Sequence, residues 1–539
     1  MTGVARPVIW SIAGTDSGGG AGLSADQRAA EAFGLHLCPV VAAVTAQNSV
    51  AVTRVQPVAP ELLDAQLAAL AEDLPPLAIK TGLLGGPEQV AVVARWVDRL
   101  RARSPLALVV DPVLGASTGA DFASAETLAA YRAELLPRTT LITPNRAEAA
   151  RLLGLPAAEA RDLPALAREL LRAGTEAVCI TGGDSTDHDG LALDWMASAE
   201  AAGWLALPRV PTEHSHGTGC TFASSAAAAL ALGFVPADAL VLAKMATTLA
   251  LRRGYAAGQG RGPVAAATGF ASDPALLPGL SWDEAPDFSR WQPSAAESAA
   301  PDLGLYAIVD SAARLAQALQ AGVRTVQLRI KTPIQPDAAW RALLSEEIRA
   351  SVAAAQAHGA RLFVNDHWRL ARELGAAAVH LGQEDLQALG PAGREELRAS
   401  GLQLGISSHS LWELARARTL APSYVACGPV WPTLTKAMPW RAQGLDNLAW
   451  WCAMAGVPVV AIGGILSAEQ MTLAARSGAS GVCAVRVLGD DPSATVPTLQ
   501  QALAAGRADA QTLPLPALPH PSLASKYGMV GCRPGDQLE

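Results

Sequence analysis

Short runs of β-branched and apolar residues alternate with Ala-, Leu- and Arg-rich stretches of helical period along most of the chain. In the first half the apolar runs are Val8–Ile12, Val40–Val44, Ala78–Ile79, Leu108–Val110, Leu141–Ile142 and Ala177–Ile180. Strands alternating with helices predict a mostly parallel sheet with helices on its faces, and ligand loops at the carboxyl ends of the strands. The alternation lapses where Pro274, Pro278, Pro286 and Pro293 fall among Ser and Ala, which predicts a domain over 1–268 and a linker over 269–302. It resumes at Leu305–Val309 and passes through Thr325–Leu328, Leu362–Val364, Ala378–His380, Leu404–Ile406, Tyr424–Ala426, Val459–Ile462 and Gly481–Val485. These eight strand candidates, each but the last followed by a helical stretch, are the arithmetic of a (β/α)8 barrel over 303–510. The Pro-rich tail, 511–539, is predicted to be disordered or loosely docked.

With 539 residues the chain exceeds one ordinary core, and two large domains fit its high apolar content. A net charge of −8 argues against nucleic acid or an anionic membrane as the main partner, but not against phosphates, which local cations and backbone N–H groups bind. The seven cysteines form no C-x-x-C pair, so neither zinc ligation nor a disulfide framework is expected. The first ten residues lack the apolar core of a secretory signal. The Ala-rich stretch Ser224–Leu251 is broken by Pro236, Asp238 and Lys244, which predicts a pair of core helices rather than a membrane span. A cytoplasmic protein acting on small molecules is expected; a homo-oligomer is left open.

Candidate chemistry in the first half centres on His216-Gly-Thr-Gly-Cys-Thr221. Glycines opening a helix turn backbone N–H groups toward an anion, which suits a transferring phosphoryl group. A thiol at that helix start is expected to have a lowered pKa and to serve as base toward a hydroxyl. The glycine-rich turn Ile12–Gly22 is weaker, since such turns also simply connect strand to helix. Asp111-Pro-Val113 and Thr143–Glu148 place hard oxygen ligands at strand ends, where a Mg2+ bridging ATP phosphates needs them.

With Ala25-Asp26, Thr45-Ala-Gln-Asn48 and Ile79-Lys-Thr-Gly82 added, the first 265 or so residues resemble the hydroxymethylpyrimidine (phosphate) kinase family. The resemblance implies a ribokinase-like three-layer α/β/α fold that phosphorylates an alcohol and then the resulting phosphate, with ATP as donor. It implies a pyrimidine pocket of Gly14, Asp26, Gln47, Leu83 and Val113, with Gln47 and Asp26 holding the aminopyrimidine. ATP and its phosphates would lie on Asn145, Glu148, Gly217, Thr218 and Gly219, with Mg2+ at Asp111. Cys220 stands where ribokinases proper carry an Asp base; Leu83 and Thr81 replace the family's usual Met and frequent Ile.

In the second half, Gln327, Arg329 and Lys331 alternate along a predicted strand and are expected to point together into the barrel, where they call for an anion such as a diphosphate. Asp366 and Asp385 leave neighbouring strands and could share one Mg2+. Thr433, Thr435 and Lys436 add a hydroxyl-rich loop, and Gly463-Gly464 is expected to let a second phosphate approach the backbone. These segments resemble thiamine phosphate synthase over nearly all of 303–508. The resemblance implies Mg2+-assisted loss of pyrophosphate from hydroxymethylpyrimidine diphosphate and capture of the pyrimidine cation by thiazole phosphate. Arg329, Lys331 and Lys436 would stabilise the departing charge. Gln327-Leu328-Arg329-Ile330-Lys331, Asn365, Ser407 and Lys436 would bind the pyrimidine diphosphate. Thr433, Leu434, Thr435, Gly464, Val485 and Arg486 would hold the thiazole phosphate, with Arg486 in place of the family's Ser.

His216 and His380 are expected to be structural. Together the two resemblances imply a fusion in which one half makes what the other consumes. Its rivals are a vitamin B6-type kinase in the first half, disfavoured by Thr45–Asn48, and a barrel reduced to a binding module.

Overall fold

The computed structural model describes residues 5–115, 121–156, 162–183, 190–292, 302–433, 439–509 and 513–527. Two compact units result: one runs to Pro286 and takes in the chain again from Leu523, and the other is Asp287–Ser522.

The strands of the first unit are β1 (Val8–Gly14), β2 (His36–Gln47), β3 (Val52–Pro57), β4 (Ala78–Thr81), β5 (Ala107–Val110), β6 (Leu141–Ile142), β7 (Ala177–Ile180), β8 (Leu191–Ala197), β9 (Ala202–Pro208) and β10 (Gly279–Leu280). They form one sheet in the order β10-β9-β8-β7-β6-β5-β4-β1-β2-β3. The stretch from β7 through β4 and β1 to β2 is parallel, while β3 and β8 to β10 are antiparallel additions at the two edges. Every residue of β4, β5 and β7 is buried, so both faces of the sheet are covered by helices. Strand order reverses between β1 and β4, and such a switch point opens a crevice at the strand C-termini. The glycine-rich turn after β1 and Lys80-Thr81 of β4 lie there.

The Ala-rich stretch forms the helices Thr218–Ala231 and Pro236–Arg252, packed on one another. No helix among the described residues is long and apolar enough to cross a membrane. The linker expected from 269 does not begin there. The 3-10 turns Phe270–Ser272 and Pro274–Leu276 bury Phe270, Ala271 and Leu276, and β10 pairs antiparallel with β9. Pro274 opens a 3-10 turn and Pro278 precedes the edge strand β10, positions where a missing N–H is tolerated, while Pro293 lies outside the described residues.

The second unit is a closed parallel barrel of β11 (Gly304–Val309), β12 (Thr325–Leu328), β13 (Arg361–Asn365), β14 (Ala378–Leu381), β15 (Gln403–Ser408), β16 (Tyr424–Cys427), β17 (Val459–Ala461) and β18 (Gly481–Ala484). Closure is made by β11, which pairs with both β12 and β18. Tyr306, Phe363, Tyr424 and Val460 fill the interior. The described part of the tail, 513–527, is bound more firmly than its composition predicts, and 528–539 lie outside the described residues. His520 N–H donates to Asn447 Oδ1 at 2.8 Å, Asn447 Nδ2 donates back to His520 O at 3.0 Å, and Arg441 N–H donates to Ser522 O at 2.8 Å.

Candidate functional sites in the two units

In the first unit, Asp16 organises the turn after β1. Its Oδ1 accepts from Gly18 N–H at 2.8 Å, and its Oδ2 from Gly20 and Ala21 N–H at 3.0 and 2.8 Å. The same Oδ2 lies 2.9 Å from His216 Nε2, which ties the turn to the start of the helix Thr218–Ala231. A Cβ on Gly20 would fall 2.4 Å from His216 Cδ2, and one on Gly217, at φ +85°, 2.2 Å from Gly20 O. The approach of these two segments therefore requires glycine at both positions. Gln47, at the end of β2, reaches the same corner: its amide lies 3.3 Å from His216 Nε2 and 3.4 Å from Thr45 Oγ1.

Below this corner Asp26 and Asp111, named from the sequence for other roles, join Lys80 in a buried charge cluster. Lys80 Nζ is 3.0 Å from Asp26 Oδ1 and 3.6 Å from Asp111 Oδ2. Asp26 also accepts from Ser11 Oγ at 2.6 Å and Ser224 Oγ at 2.7 Å. Both side chains of the Lys80–Asp26 pair have zero exposure, so Asp26 lies behind the surface on which the sequence reading placed it. Burial lowers Lys80, but Asp26, Cys220 and Asp111 together outweigh it and hold the ammonium well above its usual range. Burial and Asp26 push Asp111 up to about 6 against the opposing pull of Lys80, and its Oδ2 has no hydrogen-bond partner.

Cys220 stands in the first turn of its helix, half-buried. The thiol is not lowered as the sequence reading expected. Burial pushes it up to about 12, and the nearby Lys80 and the N–H of Gly22 offset only part of that, while Asp26 and Asp111 add to it. Desolvation outweighs the helix terminus here.

Asn145 and Glu148 form a reciprocal cap on the helix Arg146–Leu153: Asn145 Oδ1 accepts from Glu148 N–H and Glu148 Oε2 from Asn145 N–H, both at 2.9 Å. Burial, then Asp111, pushes Glu148 up to about 8. Gly14 faces Leu83 across the pocket floor, its hypothetical Cβ 3.1 Å from Leu83 Cδ2, and Val113 is half-buried in the turn after Asp111.

In the barrel, hydrogen bonds run across the interior from β12 to β15. Gln327 Nε2 donates to Asn365 Oδ1 at 2.8 Å, and Tyr306 O–H donates to Gln327 Oε1 at 3.2 Å. Each hydroxyl has a single proton, so every further link then has one direction. Tyr424 O–H donates to Tyr306 at 2.7 Å, His380 Nδ1–H to Tyr424 at 2.7 Å, and Ser407 O–H to His380 Nε2 at 2.8 Å. His380 is neutral: burial, then the electrostatic influence of Arg329 and His409, push it down to about 3. Space for Tyr424 comes from Gly405, where a Cβ would lie 2.3 Å from the ring.

The rim differs from the sequence reading at the end of β12. Strand β12 ends at Leu328, so Arg329, Ile330 and Lys331 lie beyond it; both cations are exposed at the mouth, not buried along the strand. Arg329 still acts on Asp366 and His380 electrostatically. Gly463 and Gly464 are required by the neighbouring turn, since Cβ atoms there would meet Pro429 and Trp431 at 2.7 and 2.5 Å. Leu434, Thr435 and Lys436 fall outside the described residues; Thr433 is half-buried at their edge. Val485 and Arg486 are exposed at the start of the 3-10 turn Arg486–Leu488, just after β18.

Asp366 adopts φ 66°, a strained left-handed conformation for a residue with a side chain. Burial and the facing Asp385 both raise its pKa. Two carboxylates that repel across a rim fit a divalent cation, and Asp111, whose Oδ2 lies 3.6 Å from Lys80 Nζ without a hydrogen bond, offers a further hard oxygen ligand. Among the described residues no cluster of three or more His, Cys, Asp or Glu is arranged for a metal. Mg2+ suits such sites, because it takes one or two carboxylates and completes its shell with water and phosphate oxygens.

Residues 16–265 match the phosphomethylpyrimidine kinase family and residues 305–488 the thiamine monophosphate synthase family. Over 508 residues the chain is 32% identical to a probable chloroplastic thiamine biosynthetic bifunctional enzyme of Oryza sativa, covering 91% of this chain and 87% of that protein. The chain belongs to the bifunctional thiamine biosynthetic enzymes. Each half also matches single-function relatives. A hydroxymethylpyrimidine/phosphomethylpyrimidine kinase of Synechococcus elongatus is 41% identical, covering 48% of this chain and 97% of that protein. A thiamine-phosphate synthase of Rhizobium etli is 44% identical, covering 36% of this chain and 91% of that protein. This bifunctional enzyme therefore carries a hydroxymethylpyrimidine (phosphate) kinase domain followed by a thiamine phosphate synthase domain.

Proposed function

We propose that the kinase unit phosphorylates hydroxymethylpyrimidine twice from Mg2+-ATP in the crevice between β1 and β4, and that the barrel condenses the diphosphate with thiazole phosphate. The observation that carries the first step is the cluster at the start of the helix Thr218–Ala231. Glycine-flanked N–H groups face the same space as Gln47, over a buried Lys80 ammonium. Gln47 reads the pyrimidine edge, while Gly14, Leu83 and Val113 wall its ring. The backbone at Gly217, Thr218 and Gly219 cradles the transferring phosphoryl group. Lys80 adds fixed positive charge where negative charge develops, and costs no reorganisation because Asp26 already holds it. Cys220, with a neutral thiol, suits the second transfer, whose acceptor is an ionised phosphate needing no base. Mg2+ would supply charge neutralisation between ATP oxygens and the carboxylate of Asp111; Asn145 and Glu148 shape the same edge.

In the barrel the direction of the hydrogen-bond chain supports the reading. Gln327 and Ser407 stand at its two ends, with Asn365 beside Gln327, so a flat polar heterocycle at the mouth meets side chains already oriented. Arg329, Lys331 and Lys436 would take the departing pyrophosphate, and neutral His380 keeps a competing positive charge away from the nascent pyrimidine cation. A Mg2+ held by Asp366 and Asp385 would neutralise the diphosphate. Thiazole phosphate is assigned to the rim from Thr433 to Thr435, Gly464, Val485 and Arg486, where the Arg486 guanidinium offers a phosphate partner in place of a hydroxyl. Cytoplasmic placement is supported by the free thiols at Cys38, Cys179, Cys220, Cys427, Cys452 and Cys483. The test is a substrate panel with ATP: hydroxymethylpyrimidine should be phosphorylated in preference to pyridoxal, and the reverse preference would overturn the reading.

A further inference from the structure

The amide of Gln47 meets two neighbours that constrain which way it faces. Its nitrogen is drawn 3.3 Å from His216 Nε2 and its oxygen 3.4 Å from Thr45 Oγ1. On the His216 side, Asp16 Oδ2 lies 2.9 Å from the same ring nitrogen. Burial alone would raise Asp16, but hydrogen bonds from His216 and the N–H groups of Ala21 and Gly18 outweigh it and hold the group below the usual carboxylate range. Asp16 is therefore an anion, and His216 Nε2 carries a proton that it donates there. A protonated ring nitrogen cannot accept from an amide NH2. On the other side, the single proton of Thr45 Oγ1 is donated to Thr15 O at 2.8 Å, so that hydroxyl can only accept from Gln47. Exchanging the oxygen and nitrogen of the amide satisfies both neighbours. Oε1 then accepts from His216 Nε2–H, shared with Asp16, and Nε2 donates to Thr45 Oγ1.

We propose that Asp16 and His216 form a positioning pair that fixes the orientation of the Gln47 amide and thereby selects the heterocycle. In this orientation one lone pair of Oε1 and one N–H of Nε2 remain for substrate. That adjacent acceptor and donor complements a ring nitrogen next to an amino group, and a ring without the amino group loses one of the two bonds. The pair is braced from both sides. Asp16 is held by the backbone of its own turn, and the His216 ring lies against Gly20, where no side chain fits. The inference rests on the reading of Gln47 as the pyrimidine contact.

Titration calorimetry on the full-length protein tests it, with 4-amino-5-hydroxymethyl-2-methylpyrimidine and its analogue lacking the amino group. The wild type should prefer the amino compound by about tenfold, the effect of one well-oriented hydrogen bond. His216→Phe should abolish that preference while leaving affinity for the deamino analogue within about twofold. His216→Gln, which restores an N–H donor at similar reach, should bring the preference back. Retention of the preference in His216→Phe would overturn the inference, as would a parallel loss of affinity for both compounds, the mark of a purely structural histidine. A wild type that does not distinguish the two compounds would instead overturn the assignment of Gln47 itself, and the orienting role with it.

Discussion

Lys80 Nζ stands 3.0 Å from Asp26 Oδ1, and water reaches neither side chain. Removing one member leaves the other buried without its ion-pair partner, which typically costs about 3–5 kcal/mol. Lys80→Met should therefore destabilise the kinase unit by about that much in chemical denaturation, while the double variant Lys80→Met, Asp26→Leu should recover much of the loss. Activity should fall in both, because the charge beneath the phosphoryl site is gone. A single variant as stable as the wild type would show that the pair is not sealed from solvent.

The thiol of Cys220 provides a second check. Pushed up to about 12 by burial, it should alkylate slowly at neutral pH. Residue-resolved mass spectrometry after iodoacetamide treatment should show modification of Cys220 accelerating only well above pH 9. Fast modification at pH 7 would restore the expectation that the helix start lowers the thiol.

His380 links the barrel interior to acid stability. Its pKa falls from an ordinary 6.5 to about 3, so between those values the unfolded chain binds a proton that the folded chain does not. The stabilisation is complete above pH 6.5 and is lost as pH falls toward 3, at about 1.4 kcal/mol per pH unit from this group. His380→Asn should flatten the acid limb of barrel unfolding, followed by denaturant titration from pH 7 to pH 4. An unchanged slope would mean that His380 is protonated in the native barrel.

Gly405 makes room for the Tyr424 ring, which sits at the middle of the barrel's hydrogen-bond chain. Gly405→Ala should displace that ring, cost about 1–3 kcal/mol in stability and reduce condensation while sparing pyrimidine phosphorylation. Equal loss of both activities would mean that the defect is global unfolding.

Much of this architecture is legible in the chain. The eight apolar runs of the second half each became a barrel strand, because a strand buried on both faces must be apolar throughout. Asn365 ends β13, Asp366 follows it and Ser407 stands one residue before the end of β15, whereas Asp385 lies beyond β14 in the first turn of the helix Gln383–Ala388. Arg329 and Lys331 were misplaced because the alternation of Gln327, Arg329 and Lys331 continues past Leu328, where the strand stops; periodicity does not mark where pairing ends. Lys80 was quoted within Ile79-Lys-Thr-Gly82 but given no role, although a lysine inside the buried run Ala78–Thr81 is itself a signal, since an unpaired charge is not tolerated there. Its partner Asp26 lies 54 residues away in sequence, and no local pattern couples them. The height of the Cys220 pKa was equally hidden, because burial is a property of the assembled fold.

The most direct test supplies the full-length protein with hydroxymethylpyrimidine, Mg2+-ATP and thiazole phosphate, and follows thiamine phosphate and pyrophosphate by chromatography. The wild type should form both. Lys80→Met should stop before the diphosphate yet form product when the diphosphate is supplied, whereas Arg329→Ala should accumulate the diphosphate. Failure of the wild type to yield thiamine phosphate from these three reactants, or loss of the supplied-diphosphate reaction in a folded Lys80→Met protein, would contradict two self-contained sites acting in sequence.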